Sequence, residues 1–368
     1  MKTLRKLFYG EVVTAVTLVT LGFIALFYFF DFAEELQQVG HYSALGYKVP
    51  QAMVFVGLMI PSHVYELFPI TVLIGTIFVM ARFAQSSEFT ILRTSGLGPW
   101  RALRTLVFLG VGFAIFTFAI GDYIAPLGSR AAQVLKSQFQ GRMTVGKTGA
   151  WLKEKQAYGS YSVNVGALTP DGNMKDVRIF EFDNQGALVS MTQAAVGRFG
   201  EHDDWQLEKV DRTEFTSLDA QGNRVDRARA DTFRWPTEIS AEMVAAAVMR
   251  PERMGTVDLF QYIQHLNANG QSAQKYEVQF WKKVFYPLSC VVMVVLALPF
   301  AYLHFRSGSI ATYVFGGVMA GISFVLLNNI LGDLGTLRGW LPWVTAALPG
   351  FIYSLISLSA FSWLVLRR

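Results

Sequence analysis

The sequence predicts an α-helical integral membrane protein of six transmembrane helices, with an all-β, jelly-roll-like domain inserted between helices 3 and 4. Three observations predict it. Charge is unevenly spread: residues 128–275 carry 18 Lys/Arg and 18 Asp/Glu in 148 positions, about 24% charged and net zero. The other 220 residues carry 14 basic and 9 acidic groups, about 10% charged and net +5. Apolar runs of membrane-spanning length flank that segment on both sides, and within it short alternating runs are broken by turn-forming clusters. The organisation is therefore 1–127 for helices 1–3, 128–275 for the β domain and 276–368 for helices 4–6.

The averages fit this division. Of 368 residues, 52% are hydrophobic and 16% charged, with a mean hydropathy of +0.34. Disorder is excluded by that balance, and a disulfide framework by the single cysteine, Cys290.

Residues 12–30 are nineteen uncharged positions, about 28 Å as a helix, close to the hydrocarbon thickness. The run is too long for a signal peptide and no small-residue cleavage site follows, so it reads as a retained anchor. Residues 49–81 form a long, largely apolar stretch, interrupted most notably by Pro61, His63 and Glu66. Two spans there would put Arg82, Arg93, Arg101 and Arg104 outside. One span preceded by an interfacial helix near 50–60 keeps them cytoplasmic, and the positive-inside bias favours it. A third span covers 105–121 and ends at Pro126. Three more follow at 284–305, 310–332 and 341–366. Cytoplasmic ends then collect ten Lys/Arg (2, 5, 6, 82, 93, 101, 104, 306, 367 and 368) against Glu11 and Glu88, which places both termini inside and the insert outside.

In the insert, Tyr161, Val163 and Val165 alternate with polar residues, as do Trp205 and Leu207. Runs at 174–183 and 186–195 also read as strands. Residues 256–280 read as helical, with Leu259, Tyr262, Ile263 and Leu266 on one face, leading into the fourth span.

One motif invites an enzymatic reading. Gly141-Arg-Met-Thr-Val-Gly146-Lys147-Thr148 matches the phosphate-binding loop pattern. That loop works between a buried strand and a helix N-terminus; here a polar helical stretch precedes it, strands follow it, and the topology puts it outside. It reads as a chance match. The five histidines are scattered, so no metal site and no catalytic residue is predicted. Glu66, an ionisable group in a span, reads either as functional or as an interfacial helix-start group. Asn328 and Asn329 read as interhelical hydrogen bonders.

The segment Ser86-Ser-Glu88-Phe89-Thr-Ile91-Leu92-Arg93-Thr-Ser-Gly96 predicts a short cytoplasmic helix near 87–96. Ser87 caps it, Gly96 stops it, and Phe89, Leu92 and Arg93 share one face. Such a helix suits either a groove in a cytoplasmic partner or the headgroup layer.

These features together resemble the permease family of the bacterial lipopolysaccharide export system, its G-type branch more than the F-type. The residues that carry the resemblance are Phe68-Pro69 with Leu73 and Gly75, Ser87-Glu88 through Ser95-Gly96, and Ala125-Pro126-x-Gly128. In the second half they are Tyr276, Trp281-x-Lys283-x-Phe285-x-Pro287-Leu288-Ser289, and Gly321-Ile-Ser-Phe324. The resemblance implies a non-catalytic half-transporter of an ABC exporter in the bacterial inner membrane, with a periplasmic central domain. It implies an F-type sister permease, a dimeric cytoplasmic ATPase that binds ATP and magnesium in place of this chain, a single-span periplasmic-facing subunit and a periplasmic bridge protein. Lipopolysaccharide is the implied cargo, and nucleic acid is not a partner.

By the same resemblance Glu88, Phe89, Leu92 and Arg93 contact the ATPase. Cargo enters between spans one and five of opposite subunits. Phe23, Phe27, Tyr28 and Phe30 with Tyr313, Phe315 and Phe324 are the aromatic groups placed to line that cavity, and Gly316, Gly317, Ala320 and Gly321 would let span five slide. Family members can carry lysines just after span one. Here Asp31, Glu34 and Glu35 occupy that stretch, so Arg130 and Lys136, with Lys48 weaker, are the candidate lipid-phosphate contacts. A mechanotransmitter or sensor with a periplasmic β domain is the alternative from another class; a secondary transporter would need intramembrane charges, and only Glu66 comes near.

Overall fold

The computed structural model describes residues 2–86, 98–140, 149–156, 158–169, 172–200, 204–218, 222–248, 250–302 and 310–363. Among them, six helical runs are long and apolar enough to cross a membrane: Phe8–Leu45, Val49–Gln85, Trp100–Phe139, Gln274–Tyr302, Ile310–Arg338 and Pro342–Phe361. The chain divides into two compact units. One comprises Met1–Leu36, Val56–Ser129 and Glu277–Arg368; the other comprises Gln37–Phe55 and Arg130–Tyr276.

Helix α1 (Lys2–Tyr42) continues well past its apolar run, and the chain turns only near Gly46, which adopts a left-handed φ of 89°. Helix α2 (Val49–Gln85) is continuous through Pro61 and Pro69. The separate interfacial helix expected near 50–60 is therefore its first turns. Each proline removes one backbone donor, which a helix inside a bundle tolerates better than one in water. The helix is also tied to the fourth span, where the Tyr286 hydroxyl donates to the Glu66 carbonyl at 2.5 Å.

Helix α3 (Pro99–Ala119) starts with proline in its first turn, where the missing donor costs nothing. The expected stop at Pro126 does not occur. A π turn at Ile120–Ile124 leads directly into α4 (Ala125–Gln140), and the wider turn absorbs the proline that an α-helical ladder would exclude.

In the second half, the fourth membrane-length run spans Gln274–Tyr302. Helix α5 (Ala241–Val248) and helix α6 (Thr256–Ala268) precede it. The helix expected over 256–280 breaks at Gly270, φ 62°, before α7 (Gln274–Phe285) begins. Helix α8 (Ser289–Ala297), α9 (Ile310–Arg338) and α10 (Pro342–Phe361) complete the unit.

Helix α2 is the centre of the first unit: 78% of its most apolar window is buried, against 17% for α1 and 17% for α9. Lipid tails are as apolar as these side chains, so close approach and hydrogen bonds decide helix packing more than burial does. The α1–α2 seam shows both. A Cβ at Gly75 would lie 2.8 Å from the Val16 backbone, and four residues along each helix the Thr20 hydroxyl donates to Thr71 Oγ at 2.8 Å.

The second unit holds a six-stranded antiparallel sheet in meander order: β1 (Ala150–Gln156), β2 (Gly159–Leu168), β3 (Met174–Phe182), β4 (Leu188–Phe199), β5 (Trp205–Leu218) and β6 (Gly222–Trp235). The sheet is inserted between the third and fourth membrane-length runs, with α5 and α6 following it in the chain. Alternation buries Val163, Val165, Val177, Ile179 and Val210 on one face, with Leu152 paired to Val163 and Val163 to Ile179 in register. Helix α5 packs on β1 and β2. Trp205 is fully buried and its indole donates to the Ile239 carbonyl at 2.8 Å. The β3–β4 turn is built by Asp183, whose carboxylate accepts from the Gln185 and Ala187 amides. Strand β6 is an edge with Arg224, Asp226, Arg227, Arg229, Asp231 and Arg234, a charge pattern that discourages edge-to-edge pairing. Arg227 donates to Asp211 and holds its carboxyl below the usual carboxylate range.

Candidate functional site

Most of the candidate residues lie at the ends and open faces of the helices. Residues Glu88, Phe89, Leu92 and Arg93 fall outside the described residues, as does the phosphate-loop match at 141–148. The helix ends that flank 87–97 are described. Arg82 near the end of α2 pairs with Glu11 of α1 at 2.7 Å, and Tyr9 donates to the Thr105 carbonyl of α3 at 3.1 Å. Trp100, 66% exposed, meets the edge of Phe361 on α10. Helices α1, α2, α3 and α10 thus converge where the short cytoplasmic helix is expected.

The two aromatic sets divide between packing and open surface. On α1, Phe23, Phe27 and Tyr28 are half-buried and Phe30 is exposed. Phe27 lies 5.4 Å from the His63 ring and Tyr28 stacks on Phe32. On α9, Tyr313 packs edge-on against Phe300 and Phe315 is 64% exposed. Phe324 differs: it is 2% exposed, set between Tyr286 and Tyr353, so its ring fills the bundle core in this structure.

The cause is helical phase. Gly317, Gly321 and Phe324 share the face of α9 that meets the bundle, with Gly317 against Ile77 and Gly321 against Ile70. The small residues at 317 and 321 therefore serve close packing on α2. The opposite face leaves Phe315, Met319, Ile322, Leu326 and Ile330 exposed. On α1 the matching open stripe is Leu18, Leu21, Leu26 and Phe29. Sequence reasoning that weighed aromatics missed this aliphatic stripe, although its spacing of three to five residues was the signal.

Asn328 is half-buried and Asn329 exposed, and neither hydrogen-bonds across helices among the described residues. Cys290 is fully buried, within 3.3 Å of Thr117 Oγ, as expected of a packing residue. Glu66 is exposed.

Arg130 and Lys136 lie on α4. The Arg130 guanidinium is bonded to Asp258 in the first turn of α6, and Asp258 also accepts from the Gly255 amide at 3.3 Å. Lys136 Nζ sits 4.6 Å from the centre of the Phe55 ring, a cation–π arrangement. Lys48 is exposed at the start of α2. The acidic stretch after the first apolar run is less repulsive than its letters suggest: Asp31 is paired with His63 at 2.5 Å and Glu35 is buried, which leaves Glu34 facing outward.

The most unusual charge was legible only as a motif letter. Lys283, 4% exposed in α7, donates to the Gly121 carbonyl in the π turn at 2.9 Å, with the Tyr65 ring 5.8 Å from its Nζ. Among the described residues no cluster of three or more His, Cys, Asp or Glu is arranged to hold a metal.

Six membrane-length helices, a β insert between the third and fourth, and open apolar faces on two peripheral helices define a polytopic helical membrane protein with an inserted β domain. The family is specific. Residues 6–367 match the model of the lipopolysaccharide export system permease LptF/LptG family, and the chain belongs to that family. It is similar to the lipopolysaccharide export system permease protein LptG of Escherichia coli strain K12, 28% identical over 342 residues that cover 92% of this chain and 90% of that protein. It is also similar to LptG of Haemophilus influenzae, 26% identical over 355 residues, 96% and 94% of the two chains.

Proposed function

We propose that this chain is the G-type permease half of an ABC exporter, which takes lipopolysaccharide from the outer leaflet of the inner membrane toward a periplasmic bridge. The observation that carries the reading is the incompleteness of the bundle. Helices α1 and α9 are mostly open, and the open face of α9 carries Phe315, Met319, Ile322 and Leu326 together with Asn329. An amide facing lipid without a partner is costly, so this face suits a sister F-type permease and the cavity between the two. A polyacyl lipid needs an apolar chamber of that kind, lined from α1 by Phe23, Phe27, Tyr28 and Phe30 and from α9 by Tyr313 and Phe315.

In this reading the chain hydrolyses nothing. A dimeric cytoplasmic ATPase binds ATP and magnesium, and the segment Glu88, Phe89, Leu92 and Arg93 transmits its closure. Both termini are cytoplasmic, the β insert is periplasmic, and a single-span subunit joins the complex. Arg130 and Lys136 meet the lipid phosphates.

The test is co-purification of the ATPase with Glu88→Ala and Arg93→Ala variants, together with lipopolysaccharide release from proteoliposomes. Loss of release with either variant supports the reading. Full coupling in both removes the contact, and a wild-type complex that releases no lipopolysaccharide removes the export function.

A further inference from the structure

A lysine buried among apolar helices is unusual enough to require a function. The backbone around its acceptor supplies one. In the π turn the Ala125 amide reaches back five residues to the Ile120 carbonyl. The next donor in that ladder would come from residue 126, which is proline and has none. The Gly121 carbonyl is thereby left without a donor from either position. Lys283 Nζ occupies the vacancy at 2.9 Å. Gly121 must be glycine for this approach, because a Cβ there would lie 2.2 Å from the Tyr65 ring, the same ring that faces the Lys283 ammonium.

We infer that Lys283 is a positioning residue of the transport cycle: its ammonium clips the start of the fourth membrane helix to the π turn of the third, so that the two helices flanking the insert move together. Three separate features converge on one atom, namely the π turn, Pro126 and the glycine beside Tyr65. Without the lysine, a π turn followed by proline would leave a buried acceptor unsatisfied. A neutral side chain of similar length could fill the space but not clip the turn.

The transport readout rests on the export reading; the stability readout does not. The test compares Lys283→Met with the double variant Lys283→Met/Pro126→Ala in the full export complex, scoring thermal stability and lipopolysaccharide released per ATP hydrolysed. Alanine at 126 restores the amide that can reach Gly121. Lys283→Met is expected to lower both readouts, release per ATP by at least about tenfold. The double variant is expected to regain stability yet remain at least about tenfold down in release. Wild-type release by Lys283→Met, or recovery of release together with stability in the double variant, overturns the positioning role. A double variant that does not regain stability overturns the assignment of the Gly121 carbonyl. If the wild-type complex itself releases nothing, the export reading fails, and the stability comparison still decides the clip.

Discussion

The carboxylate of Asp31 lies 2.5 Å from Nε2 of His63, joining α1 to α2 at one end of a seam whose other end is the Glu11–Arg82 pair at 2.7 Å. Both pairs are partly exposed, so each contributes on the order of 1 kcal/mol or less. What they fix is register, since a one-turn slip of α1 would break both ends at once. A thermal-stability cycle with Asp31→Asn, His63→Ala and the double variant should show coupling of roughly 0.5–1 kcal/mol. Simple additivity of the two single variants would mean the contact does not hold the helices.

Between those ends the seam depends on Gly75. A Cβ there meets the Val16 backbone at 2.8 Å, where no rotamer can relieve the clash. Gly75→Leu should push α1 outward at a cost of about 1–3 kcal/mol. The facing hydroxyls of Thr20 and Thr71 provide the gauge. A Thr20→Cys/Thr71→Cys pair should oxidise readily in the parent protein, because hydroxyls 2.8 Å apart place the two positions within disulfide reach. The native Cys290 is fully buried and should not compete. Adding Gly75→Leu should abolish the cross-link.

In the insert, His265 ties pH to local stability. Burial pushes its imidazole below the ordinary histidine range, against the opposing influence of Glu154 and Glu238, and its Nε2 has no hydrogen-bond partner among the described residues. The folded state therefore binds a proton less readily than the unfolded chain, whose histidine titrates near pH ~6.5. Stability is fully present above that pH and falls as the pH drops through the window below it. Hydrogen exchange of α6 should accelerate from pH 7 toward pH 5, and His265→Gln should flatten the dependence. An unchanged slope in that variant would assign the effect to other groups.

How much of this was legible in the sequence follows the range of each interaction. Apolar runs and strand alternation are local, so the six helices and the β insert could be read directly. The continuation through Pro126 could not, because the compensating donor lies 162 residues from Gly121. Arg130 likewise read as an open cation because its partner Asp258 lies 128 residues away. Phe315 and Phe324 were indistinguishable as letters. Only the packing of α9 on Ile70 and Ile77 assigns one to the open face and the other to the core.

That Arg130–Asp258 pair yields a prediction about cargo binding. A lipid phosphate that recruits Arg130 must displace a carboxylate already bonded to it. With Arg130 about half exposed, the displaced pair contributes at most about 1 kcal/mol, which corresponds to roughly fivefold in affinity. Asp258→Asn should therefore strengthen lipopolysaccharide binding to the purified protein by up to about fivefold. Arg130→Ala and Lys136→Ala should each weaken it, and the dependence on salt should fall with each cation removed. Equilibrium binding in detergent at two ionic strengths measures all three. If Asp258→Asn leaves binding unchanged while Arg130→Ala lowers only the thermal stability, Arg130 serves to anchor α6 and is not a phosphate contact.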